Sequence, residues 1–101
     1  MEQITKPNIK LLAAGKNLTA KQMQANAGEL LPEHLADMES ILFVEDGECI
    51  LTIKGEENTL KKGDAFVVPP AIKHQIKAIT DFKGIHFMPI KIKFEFFNEV
   101  K

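Results

Sequence analysis

His34, His74 and His86 are the only imidazoles in this chain, and few other reactive groups accompany them. All thirteen basic side chains are Lys, so capture of a carboxylate or phosphate by a guanidinium fork is excluded. The chain has no Tyr to serve as a phenolic acid or base. Ser40 is the only serine, which argues against serine-nucleophile chemistry. Cys49 is the only thiol and sits in an apolar segment, where it reads as a small core residue rather than an activated nucleophile. Any site must therefore be built from imidazoles and carboxylates. Two outcomes are open: hydrogen bonding to a bound molecule, or ligation of a transition metal completed by a third donor.

The elements that must carry these residues are strands. Residues 90–96 alternate apolar and charged side chains, the period of a strand with one wet face. Residues 41–44 and 65–68 are short runs of branched and aromatic residues bounded by turn formers, and read as buried strands. Asp46-Gly47 predicts a hairpin between 41–44 and 49–53. Turns are expected at 55–58 and 61–64, and Pro69-Pro70 must lie outside central pairing. Asp64 reads as a turn residue whose carboxylate accepts backbone N–H bonds. Further strands are expected at 9–13, 18–25, 74–78 and 84–88. In the second of these, Gln22 and Gln24 share one face while Met23 and Ala25 share the other. Turn signals at intervals of roughly ten residues predict an all-β barrel or sandwich with almost no helix.

The length is that of one domain, with 45% hydrophobic residues and seven Phe to fill its core. A net charge of −1 leaves no basic surface for nucleic acid or anionic lipid. No run approaches the roughly 18 apolar residues of a membrane span. A lone cysteine excludes an intramolecular disulfide, and a cytoplasmic setting is expected.

Two stretches resemble the paired motifs of the cupin superfamily. In 28–47, Gly28 is followed after five residues by His34, and Gly47 stands at the closing position. In 63–78, Gly63, Asp64, Pro69 and His74 stand at the second motif's spacings. The resemblance implies a single cupin domain over 1–101, a barrel of two antiparallel sheets rolled into a jelly roll. Departures fall on the metal ligands. The second His of the first motif is Ala36 and its Glu is Ser40; the Gly and Asn of the second are Ala71 and Ala78. Only His34 and His74 remain of the four ligands the family implies.

The reading that follows is a barrel pocket for a small organic molecule, formed by His34, Ala36, Met38, Ser40, Phe43 and His74, without a complete metal site. The alternative is a dioxygenase- or isomerase-like metalloenzyme holding Fe, Zn, Mn or Ni on His34, His74 and either Glu39 or His86. Glu39 would need a β-bulge to turn inward. His86 would need a 74–78/84–88 hairpin in the register that sets it opposite His74; one residue of slip places Phe87 there instead. Aromatic bulk favours Phe87 as the core residue. A homodimer is expected through the Phe94, Phe96 and Phe97 row.

Overall fold

The computed structural model describes residues 4–97, and every regular element among them is a strand. In chain order these are β1 (Asn8–Ala14), β2 (Leu18–Ala25), β3 (His34–Ala36), β4 (Ser40–Asp46), β5 (Glu48–Ile53), β6 (Glu56–Lys61), β7 (Ala65–Val68), β8 (His74–Ala78), β9 (Phe82–Pro89) and β10 (Phe94–Phe96). They form two antiparallel five-stranded sheets, ordered β1-β2-β9-β4-β7 and β10-β3-β8-β5-β6. This is the all-β jelly roll expected from the sequence.

Alternation along each strand sends one set of side chains between the sheets. Met23 and Ala25 of β2, Leu42 and Val44 of β4, Cys49 and Leu51 of β5, and Phe82 of β9 meet in one cluster. Burying each of the larger ones stabilises the fold by roughly 1.5–3 kcal/mol. Cys49 is fully buried there, and burial pushes its thiol up to about 12, with Glu48 adding to the effect. On the opposite face of β2, Gln24 donates to Gln22 and Gln22 donates to Glu45.

Four local expectations are corrected. Asp46-Gly47 does not close a hairpin, because β4 and β5 belong to different sheets; the chain turns a corner there. The 74–78/84–88 hairpin is likewise absent: β8 pairs with β3 and β5, whereas β9 pairs with β2 and β4. A roll made this way passes its chain between sheets, so strands adjacent in sequence are often not neighbours in space. Residues 56–58 belong to edge strand β6 rather than to a turn; Lys54 and Gly55, both at positive φ, make the turn. Finally, only Phe94–Phe96 of the alternating 90–96 run is a strand. Ile90 N–H donates to the Asn17 carbonyl and Ile92 N–H to that of Pro89, so the run begins as a turn. Lys93 N–H then donates to the Asp37 carboxylate, docking the chain beside β3.

Asp64 behaves as a turn residue, its carboxylate accepting the Lys61 N–H at 2.8 Å. Ala71, where the family motif has Gly, is held at φ 64. For a residue with a Cβ this left-handed conformation costs roughly 1–2 kcal/mol. Its N–H donates to the Ala36 carbonyl at 2.6 Å, tying the loop before β8 to the end of β3.

Candidate functional site

β3 and β8 touch at one register position, and the two residues paired there are His34 and His74. Their rings meet edge to face with centroids 4.3 Å apart. Each ring has the same local anchor two residues upstream: Nδ1 of His34 lies 3.1 Å from the Pro32 carbonyl, and Nδ1 of His74 lies 3.1 Å from the Ile72 carbonyl. A carbonyl only accepts, so each Nδ1 carries the proton and each neutral ring keeps a lone pair on Nε2. Burial pushes both imidazoles below the ordinary His value, against the raising effect of these carbonyls.

His86 is the third imidazole of the interior. Alternation along β9 puts it in phase with Phe82, Gly84 and Met88, on the inward face, and leaves Phe87 44% exposed on the outer one. This reverses the expectation from aromatic bulk. Ser40 explains the reversal: its Oγ lies 2.9 Å from His86 Nε2, and the small side chain leaves room for the ring. Burial is the main cause that holds His86 down at about 4, followed by the fields of His34 and His74.

His34 and His86 border a cavity of about 500 Å³. They line it together with Met23, Leu31, Ile76 and Met88, and Phe94 and Phe96 close one side. Phe94 stacks near both imidazoles, with centroids 5.6 Å from His34 and 6.3 Å from His86; Phe96 lies 5.2 Å from His34. The aromatic row read as a dimer surface is thus partly cavity wall, although Phe96 remains 61% exposed. Phe97 lies apart from it, under the Lys73 ammonium at 4.1 Å.

The other residues expected at the pocket lie elsewhere. His74 is buried behind His34 and does not line the cavity. Ala36 and Ser40 are buried, and neither reaches it. Met38 is 37% exposed, and Phe43 faces outward from β4, opposite to Leu42 and Val44. Glu39 is exposed, with no bulge in the β4 pairings at that point to turn it inward. Met23 was legible as an inward residue from alternation, whereas the preference for Phe87 as core residue turns Met88 outward with His86. Phe94 and Phe96 were not legible, because β10 pairs with β3 across a distance of about sixty residues.

The donor set does not fit a metal held by three protein ligands. His34 and His74 supply two free Nε2 atoms, but His86 Nε2 is engaged by Ser40 and Glu39 is outside. Among the described residues, no group of three or more His, Cys, Asp or Glu is placed to hold an ion. Ser40 is 4% exposed and is not among the cavity's lining residues, so its bond holds the His86 ring in place from behind the wall.

A two-sheet jelly roll with inward histidines near one end is the architecture of a cupin. A family model described as "Cupin domain" matches residues 22–88, and the chain belongs to that family. The match runs from β2 to β9 and contains all three histidines, whereas β1 and β10, with Phe94 and Phe96, lie outside it. Among solved structures, the chain is similar to KdgF from Halomonas sp., at 26% identity and TM-score 0.75, covering 80% of this chain and 76% of that one. It is also similar to a cupin superfamily protein from Desulfitobacterium hafniense, at 19% identity and TM-score 0.77, covering 90% and 84%. Salicylate 1,2-dioxygenase from Pseudaminobacter salicylatoxidans aligns at 17% identity and TM-score 0.82, covering 95% of this chain but 32% of that one. At such identities the last two show the fold alone. No curated protein matches the chain.

Proposed function

We propose that this cupin binds a small organic molecule inside the barrel. The observation that carries the reading is the cavity itself, about 500 Å³ of mostly apolar wall with two neutral imidazoles on it. Its volume is within the range of ligand pockets, and apolar walls with a few placed polar groups are what such pockets use. His34 sets one requirement on the ligand. Its Nδ1–H is committed to Pro32, so Nε2 accepts, and the ligand must present an O–H or N–H there.

The methionines provide the test. Titrating 2-naphthol into the protein should shift the methyl NMR signals of Met23 and Met88, which line the cavity, and leave Met38 unmoved. His34→Ala should weaken that binding about fivefold, the worth of one hydrogen bond. Shifts confined to Met38, or saturable binding that spares Met23 and Met88, would refute the cavity.

One observation favours a second reading, a metal-dependent enzyme of dioxygenase or isomerase type. Histidines that hold metals commonly donate their other ring N–H to a carbonyl, and His34 and His74 both do so. With two donors rather than three, untreated protein is expected to contain well under one equivalent of iron, zinc, manganese or nickel. A full equivalent, lost in both His34→Ala and His74→Ala, would replace the first reading with the second.

A further inference from the structure

The charge around the cavity is one-sided. Lys6 and Lys21 border it, and no Asp or Glu is among its lining residues in the described chain. Lys21 owes its place to alternation: it is in phase with Met23 on β2 and stands opposite His86 in the β2–β9 register. That puts a cation's stem along the same inward wall as the buried apolar residues, at a position where an outward residue such as Gln22 would have met solvent and Glu45. Long amphipathic side chains of this kind cover apolar surface with their stems and keep the charge wet. Lys21 is itself exposed.

Every other polar feature of the lining is uncharged. The two imidazoles are neutral at physiological pH, and the His34 Nε2 lone pair repels a second negative charge close to it. A cationic occupant would meet two ammonium groups and no counter-ion. A neutral occupant would leave them unused. A dianion would crowd the imidazole lone pair, and the chain has no Arg to grip it.

From this arrangement we infer that the occupant is a monoanionic organic acid that also carries an O–H or N–H for His34 Nε2, its apolar body against Met23, Met88 and Phe94 and its carboxylate at the Lys21 end of the cavity. The inference rests on the binding function proposed above and adds the ligand's chemical class. A single ammonium is a point charge at a partly wetted mouth, so its contribution is modest and falls with salt.

Calorimetric titration of two isosteric probes that both carry a hydroxyl for His34, 6-hydroxy-2-naphthoate and uncharged 6-hydroxy-2-naphthamide, separates the two ideas. At low salt and neutral pH the wild-type protein should bind the carboxylate about three- to fivefold more tightly than the amide, the factor expected of one exposed ion pair. Lys21→Gln should erase that preference while leaving amide affinity unchanged, and Lys21→Arg should retain it. Because Lys21 is exposed, neither substitution should move the thermal midpoint. Equal affinity for both probes in the wild type, or a preference that survives Lys21→Gln, overturns the inference and leaves the cavity reading standing. Equal weakening of both probes by Lys21→Gln also overturns it, since that reports lost packing rather than lost charge. Carboxylate binding without detectable amide binding supports the inference, the reverse overturns it, and failure of both probes overturns the cavity reading and the inference together.

Discussion

Lowering the pH from about 7 to about 4 is expected to remove about 3 kcal/mol of stability through His86 alone. In the folded chain His86 takes up its proton only near 4, against the ordinary 6.5, because burial disfavours the imidazolium and His34 and His74 stand nearby. Lys21, its register partner on β2, is a further cation on the same side. The unfolded chain has none of these obstacles and protonates from 6.5 downward. Between 6.5 and about 4 the unfolded state therefore binds more protons, and stability falls as pH falls. Above 6.5 the stability is fully present, and below about 4 no further loss comes from this residue. His34 and His74 are lowered too and act in the same direction. Carboxylates titrate at the acid end of this range, so the diagnostic quantity is a difference. Urea midpoints of wild type and His86→Asn, followed from neutral pH to about pH 5, should converge as the wild type loses its advantage. Parallel curves would show that His86 is not the buried neutral group described here.

How far the site was legible follows from the same strand. The resemblance to the cupin motifs implies that His34 and His74 converge, because each stands at a motif's histidine position. His86 stands in no motif, and its face hinged on which strand lies beside β9. Bulk pointed to Phe87, but the outer face of the β1-β2-β9-β4-β7 sheet accepts exposed apolar residues: Phe87 pairs with Ile41, and Ile41 with Val67, all at 42–53% exposure. The deciding fact was chemical and local to another strand. Ser40 replaces the larger residue of the motif, makes room inside, and offers a hydroxyl to the imidazole. Lys21 shows the opposite case. The alternation that assigned Met23 and Ala25 to the interior also assigned Lys21 there, and only the closeness of β9 gives that phase a meaning.

The corner at Asp46-Gly47 carries the second large effect, and it comes from the same transfer of the chain between sheets that hid the pairing of β9. Gly47 has φ 81, and a Cβ placed on it would collide with the Asp81 carbonyl oxygen and lie 2.9 Å from Thr80 Oγ1. The nearest obstacle is backbone, so no rotamer change relieves it. The segment it would displace is already committed: Thr80 Oγ1 accepts the Glu48 N–H, the Glu48 carbonyl accepts the N–H groups of Ile79 and Thr80, and the Asp81 carboxylate accepts the Ala27 N–H. Gly47→Ala should then lose about 4 kcal/mol, combining roughly 1 kcal/mol for the left-handed backbone with about 1 kcal/mol for each of several broken hydrogen bonds. Gly55→Ala isolates the first contribution. Gly55 has φ 75 at the β5–β6 turn with nothing within 4 Å of a Cβ, so its loss should stay near 1 kcal/mol. Urea denaturation of the two variants measures the gap between them. Equal losses would mean that the approach of Gly47 to Asp81 is not what holds β4 and β5 in their separate sheets; a gap of about 3 kcal/mol would locate the closure of the barrel in that contact.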